Sequence, residues 1–590
     1  MGGKVGCVGR RREAVLTIFL LLCLPSCAPS AADMSMPERR ALRARVRSFF
    51  YHAFRNYKEH AYPLDELKPL TCEGRRWDRR ERGTLDDTLG GFATTMVDSL
   101  GTMVVLGDVP LFRQSVLEVV RDVHFDRDVI VSVFETTIRV LGGLLSAHLL
   151  AAELDSAGEW YRGAPLLHKA EQLAVRLMPA FDTPTGIPAH RVHLQRGLRL
   201  DPGASSSSSS SSSAETVTCP AAAGTLLLEF GMLSRLTGNT TYERAAHRAT
   251  LALWQRRSPL NLLGATIDTH SGAWRETHSG IGAGIDSFYE YLLKSHVMLG
   301  NDEYLKMFQS AYAATALHMR QERDDTGLTW HLEVDMRKGA KNVHSRYISS
   351  LSAFWPGLQV LAGDTVAATH SFAAFWSLWQ RFGALPEIFN LNGNSVVPYA
   401  KDWPLRPELA ESAYHLFRAT RDPFYLRAGE AIVETLEKVT RVPCGFAAIA
   451  DVRGSRLDDR MDSYFLSETV KYLFLLFSEG RALDAACEIA GGNHSSSICS
   501  GDDNMLFTTE GHIVLLDALW RRSADGGGKA AATAARRAHV CAQDGGHAHS
   551  GGQPVCQWAF RVPGNRASSS AEASANRHRD VGQYHSTNAK

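Results

Sequence analysis

A punctuation mark recurs along this chain and narrows what it can fold into. Leu106-Gly-Asp108, Leu236-Thr-Gly-Asn239, Leu299-Gly-Asn301, Leu361-Ala-Gly-Asp364 and Ala419-Thr-Arg-Asp422 each separate two stretches whose apolar residues recur every three or four positions. Glycine tolerates the left-handed turn that ends one helix, and Asn or Asp supplies the oxygen that caps the next. The last four marks begin at 236, 299, 361 and 419. That interval of about 60 residues is one helical hairpin plus a return loop.

From Pro37 to Phe477 the pattern is nearly all helical, in segments of about 12 to 22 residues. It predicts an all-α fold of about fourteen helices in seven hairpins, a closed (α/α)7 barrel with its site at one end; the competing arrangement is an open α-solenoid scaffold. Met505–Leu515 reads as a short strand-like element that plugs one end of the barrel. The predicted domain runs from 36 to 515. A nine-serine run, Ser205–Ser213, marks a mobile insertion at 203–215. Residues 521–590 are poor in large apolar side chains and are expected to be disordered.

At the start, Arg10-Arg-Arg12 precedes an apolar run, Ala14–Leu24, and then small residues through Ala32. This is the layout of a signal peptide, assigned to 1–31, with an uncleaved anchor as the alternative. No later stretch reaches about 18 apolar residues, so no membrane span is expected in the mature chain. The sequons Asn239-Thr-Thr241 and Asn493-His-Ser495 fit a secretory route. Removal of the signal leaves Cys72, Cys219, Cys444, Cys487, Cys499, Cys541 and Cys556, an odd set without zinc-ligand spacing. A net charge of +1 gives no global reason to bind nucleic acid. The basic runs Arg39–Arg47 and Arg75–Arg82 read as solvated surface.

Acids embedded in apolar helices are the functional clue. Glu408 and Glu411 open the helix of Leu405–Thr420, where first-turn acids would also offset the macrodipole. Glu135 and Arg139 share a polar face with Gly142 and Ser146, although a surface ion pair would have the same spacing. Glu229, Asp286 and Glu468 sit in similar runs. Each alone serves equally as a cap or a paired core charge, but buried acids are costly without partners. Five or more together suggest a shared polar cavity. Such a cavity suits acid–base work on a glycosidic bond, and equally a hard, oxygen-ligated cation.

These segments resemble the α-1,2-mannosidases of glycoside hydrolase family 47, and more narrowly the ER degradation-enhancing α-mannosidase-like proteins without an added protease-associated domain. The likeness runs from about Ser48 to Ile513. It includes Tyr51-His-Ala-Phe54, Asp65–Cys72, Thr183-Pro-Thr-Gly186, Phe354-Trp-Pro-Gly357 and Leu385-Pro-Glu387. It implies an (α/α)7 barrel that removes α-1,2-linked mannose from N-glycans with inversion, using Ca2+, in the ER lumen. Glu135 takes the position of a general acid working through a water, Glu408 that of the general base, and Asp286 that of a third catalytic carboxylate. Thr509 matches the Ca2+ ligand. Glu229, Glu411, Glu468 and Glu510 match the acids around the metal's waters and the terminal mannose. Arg139 and Arg406 match the arginines that orient acids and glycan. Tyr464 stands where a phenylalanine usually stacks on mannose. Ser350, Ala353, Gly101, Thr508, Gly511 and the 75–89 segment depart from the usual pattern.

The same resemblance pairs Cys72 with Cys444. It leaves Cys541 or Cys556 for a thioredoxin-like ER oxidoreductase, with an inert or internally paired tail as the alternative. High-mannose N-glycans on misfolded glycoproteins are the implied substrate. A mannose-binding lectin or degradation receptor on the same fold, or a scaffold recruiting the oxidoreductase, are the rival functions.

Overall fold

The Gly-Asp and Gly-Asn marks fall at hairpin tips, where their chemistry is used as expected. Gly300 adopts φ +69° at the end of one helix, and the Asn301 side chain accepts the Glu303 N–H at the start of the next. Asp108, Asp364 and Asp422 cap in the same manner. At the last tip Arg421 itself takes the left-handed conformation, at φ 58°. The computed structural model describes residues 33–76, 86–198, 216–322, 327–454, 456–489 and 496–522.

Among the described residues fourteen helices build the wall. In chain order they are α1 Met36–His60, α2 Thr94–Val105, α3 Val109–Asp122, α4 Val133–Leu154, α5 Pro165–Leu177, α6 Leu227–Thr237, α7 Thr241–Gln255, α8 Asp286–Leu299, α9 Asp302–His318, α10 Trp355–Leu361, α11 Thr365–Phe382, α12 Glu408–Thr420, α13 Pro423–Thr435 and α14 Val470–Leu476. Helices α2, α4, α6, α8, α10, α12 and α14 form the inner ring of an (α/α)7 barrel. Every residue of α2 and of α14 is buried. The outer helices show one apolar face, as an outer layer requires.

Helix α1 closes the ring. The Arg39 guanidinium donates to the carbonyls of Leu476 and Phe477, at 3.3 and 3.2 Å, satisfying the end of α14. Arg45 pairs with Glu434 and Glu437. Arg75 is buried among Glu66, Asp86 and Asp462. Arg39, Arg45 and Arg75 are therefore structural links, because each finds carboxylates or helix-end carbonyls on a neighbouring segment, while Arg40 and Arg47 lie on the exposed surface as expected and 77–82 lie outside the described residues.

Among the described residues one helix, α4, is long and apolar enough to cross a membrane. The apolar window of α4 is 89% buried inside the barrel. Glycine lets it approach its neighbours: a Cβ at Gly143 would lie 2.9 Å from the Val97 carbonyl oxygen.

Short strands fill the return loops. Five matter below: β1 His278–Ser279, β2 Glu333–Asp335, β3 Gly339–Ser345, β4 Met505–Phe507 and β5 Ile513–Leu515. The β4–β5 hairpin is the predicted strand-like element, and β5 is completely buried. The chain then continues into a packed helix, α15 Leu516–Arg522, where Trp520 is buried and Arg521 pairs with Glu153. The domain thus extends past the expected boundary at 515, and Arg521 belongs to a helix.

Cys72–Cys444 is bonded as the resemblance implied. A second bridge, Cys487–Cys499, was not anticipated, because connectivity is not written in cysteine spacing. Cys219 is free. Asn239 is exposed at a hairpin tip. The 1–31 segment, the serine insertion, Asn493, Cys541 and Cys556 lie outside the described residues.

Candidate active site

Two inner helices reach the site through wide turns. Residues Thr136–Leu141 of α4 and Phe465–Thr469 just before α14 wind as π-helix. Such turns are rare, and they concentrate at functional sites because the extra residue re-aims its neighbours. One follows Glu135 directly, and the other contains Glu468. Before α12 the chain bends at Leu405, which holds φ +64° while Thr469 donates to its carbonyl at 2.7 Å. That bend precedes Arg406, and Pro407 occupies the N-cap of α12 with Glu408 as the first helical residue.

These elements surround a cavity of about 260 Å³. Glu135 and Arg139 line it from α4, Asp286 from α8, and Arg406, Glu408 and Glu411 from the start of α12. Tyr464 and Glu468 come from the turn before α14, and Thr509 and Glu510 from the tip of the β4–β5 hairpin. Ten of the eleven residues expected in the site share this one space. Glu229 does not line it. It is buried on α6, where the Tyr291 hydroxyl donates to it at 2.6 Å.

Two arginines organise the acids. Arg139 donates from Nε to Glu135 at 2.8 Å and from Nη1 to Glu510 at 2.6 Å, with Asp98 at 3.8 Å. Arg406 makes a two-pronged pair with Glu387, at 2.9 and 2.8 Å, and the Ser350 hydroxyl donates to the same carboxylate. Burial would raise the Glu387 carboxyl, but Arg406 holds it below the ordinary range. The ring of Tyr464 lies between the two guanidinium carbons, each 5.5 Å from its centroid. Its hydroxyl is engaged with Pro404 O and Asp462, both at 2.9 Å.

The remaining carboxyls are under-compensated. Burial pushes Asp286 and Glu408 up to about 7 and Glu229 up to about 8. Burial, and then the charges of Glu510, Glu411 and Glu408, push Glu468 well above the usual range. One oxygen each of Glu229 and Glu408 is buried without a hydrogen-bond partner. Crowded carboxylates beside a threonine, without imidazole in the cavity wall, form an oxygen-donor set that fits a hard divalent cation.

The hairpin tip is held firmly. Gly511 takes φ +66°, and a Cβ there would lie 3.1 Å from the Lys471 ammonium and 3.2 Å from Glu468 Cγ. Lys471 donates to the Gly511 carbonyl. His512 lies 3.1 Å from Asp98.

Several residues escaped the sequence reading. Glu290 lines the cavity one turn beyond Asp286, a spacing that would have found it, and pairs with Lys294. Asp98, an acid on the fully buried α2 among Thr94, Thr95 and Thr102, faces both Arg139 and His512. Cys219 lines the cavity, and burial raises its thiol to about 11.

The barrel is similar to the solved α-1,2-mannosidase from Trichoderma reesei, with a TM-score of 0.67 over 81% of this chain and 99% of that one. At 24% identity that is a likeness of fold, the class of (α/α) barrels. Residues 49–516 match Glycosyl hydrolase family 47, and the chain belongs to that family of glycosidases. It is 44% identical to alpha-mannosidase I MNS4 of Arabidopsis thaliana, over 82% of this chain and 71% of that protein. It is also 44% identical to human ER degradation-enhancing alpha-mannosidase-like protein 3, spanning 51% of that protein's length. With human protein 2 of the same series the identity is 43%, over 82% of this chain and 79% of the relative.

Proposed function

We propose that this chain is a Ca2+-dependent inverting α-1,2-mannosidase of the ER lumen, trimming N-glycans of misfolded glycoproteins and so directing them to degradation. The observation that carries the reading is the placement of Glu135 and Glu408 on different inner helices around one cavity. Inversion needs an acid and a base far enough apart to admit a water. Glu135 is the general acid. Its side chain is 21% exposed and oriented by Arg139, which suits delivery of a proton through solvent. Glu408 is the base. A carboxyl poised near neutrality can take a proton from water and still be ionised at working pH. Asp286, raised to the same range, faces the same space as the third carboxylate. Tyr464 offers an aromatic edge to the sugar ring.

Thr509 would hold the Ca2+, with Glu411, Glu468 and Glu510 around its waters and Glu229 behind them. Bound there, the ion supplies positive charge that offsets these carboxylates and orients sugar hydroxyls. Two disulfides within the domain support an oxidising compartment.

The test is incubation of the purified protein with a Man9 glycoprotein, with and without a thiol oxidoreductase. Chelator-sensitive release of mannose with inverted anomeric configuration, absent in Glu135→Gln, is expected. Unchanged glycans with retained binding would replace the enzyme by a lectin.

A further inference from the structure

The sheet of β1, β2 and β3 carries three metal-ligating side chains that the cavity does not use. His278, Glu333 and His344 offer ligand atoms that all lie within 4.8 Å of one another. The two imidazoles stack, with centroids 4.6 Å apart and planes 8° from parallel.

A defect in the ladder brings them together. On β2, Asp335 pairs with His278 of β1, and Glu333 pairs with Ser345 of β3. The next pair is Val334 with Val343, so His344 is the extra residue of a β-bulge. In an unbroken ladder His344 would face Val334 and project from the side opposite Glu333. The bulge re-aims it towards the carboxylate. Gly280 leaves room for that carboxylate: a Cβ there would lie 3.1 Å from Glu333 Cγ and 3.7 Å from its Oε1. The cluster ranges from half-buried to exposed, so an ion can reach it from solvent.

We propose that His278, Glu333 and His344 form a second metal site, for a zinc-class divalent cation, that fastens β1 to the β2–β3 hairpin. Two imidazoles and one carboxylate are the donor set of a borderline cation, and three protein ligands leave a fourth position to water. Calcium and magnesium prefer all-oxygen surroundings, so the two sites sort their ions by chemistry. The ion also has a structural consequence. Strand β1 leads through residues 280–285 to Asp286, and Ala283 and Gly284 of that stretch line the cavity. Zinc at the strand therefore braces the approach to a cavity acid without entering the cavity.

The experiment uses the full chain, stripped with chelator and returned to calcium-containing buffer, then titrated with ZnCl2 and separately with CoCl2. Wild type is expected to take up one more equivalent of zinc than His344→Ala or Glu333→Gln, whose affinity at this site falls by more than roughly tenfold. Zinc is expected to raise the wild-type unfolding midpoint by a few degrees and to slow amide exchange in 276–286 and 333–345. Cobalt should give the intense visible bands of a four-coordinate site. Histidines of the C-terminal tail bind equally in all three proteins and cancel in the difference. Equal uptake and equal stabilisation in wild type and both variants, or octahedral-type cobalt bands alone, would overturn the assignment. His344 is exposed, so its replacement leaves the fold intact.

Discussion

Arg139 stands among three carboxylates, Glu135, Glu510 and Asp98. Arg139→Met would keep the bulk and leave Glu135, Glu510 and Asp98 without their cation. Removing one partner of a buried pair costs about 3–5 kcal/mol, and urea unfolding should show a loss of that order. Glu408→Gln is expected to behave oppositely on the two axes. Mannose release should fall by roughly 10²-fold or more, while the unfolding midpoint holds or rises, because a neutral amide replaces a carboxyl that burial already disfavours as an anion. A loss of activity matched by a loss of folding would deny it the role of base.

His148 sets a pH dependence at the same scale. Burial, and then the charge of Arg522, lower its imidazole to about 4, while the ring keeps a 2.8 Å hydrogen bond with the Tyr161 hydroxyl. The unfolded chain protonates this residue near 6.5 and the folded one does not, so stability is full above 6.5 and is withdrawn as pH falls towards 4. The withdrawal amounts to about 3 kcal/mol. The raised cavity carboxyls pull the other way over a similar range. The clean measurement is therefore the difference in unfolding free energy between wild type and His148→Gln at pH 7 and pH 5. It should narrow as pH falls.

At the scale of elements, the β4–β5 hairpin carries the sharpest expectation. Gly511→Ala would place a methyl against Lys471 and Glu468 in a left-handed backbone. The strain is about 1–2 kcal/mol, and it falls on the tip that presents Thr509. Calcium titration should show weakened affinity with only a modest drop in midpoint. Unchanged affinity would mean that the tip does not hold the ion. Elements were legible where local chemistry marks them. Gly300-Asn301 and Leu361–Asp364 announce their turns in a few residues. The π turns at Thr136–Leu141 and Phe465–Thr469 were not legible, because one extra residue shifts the apolar spacing too little to distinguish them from an α-helix. Glu229 shows the limit for sites. An acid in an apolar run reads as buried, but its run cannot tell whether it faces the cavity or lies behind it. Glu408 became legible only beside Glu135 and Asp286, since a first-turn acid has an ordinary explanation of its own.

Over the whole molecule, Cys72–Cys444 joins positions 372 residues apart and so ties the start of the barrel to its closing segment. In the chain-entropy account a bridge of that span contributes up to about 6 kcal/mol. Replacing both cysteines by serine should lower the unfolding midpoint strongly and leave the Cys487–Cys499 bridge intact by mass spectrometry. The overall fold could be anticipated because seven hairpins of similar length have few ways to close. The return-loop bulge at His344 could not, because the residue that a hairpin leaves unpaired is set by how its two strands register, which the polar pattern of these short strands does not specify.

The position of the hairpin has a further consequence for how such a molecule is made. Thr509 and Glu510 reach the cavity from the last part of the domain, after all fourteen wall helices have left the ribosome. A nascent or prematurely terminated chain can therefore assemble much of its wall and still lack the floor of its pocket. Glycan processing would begin only after this hairpin had been made, so synthesis itself would act as the on-switch.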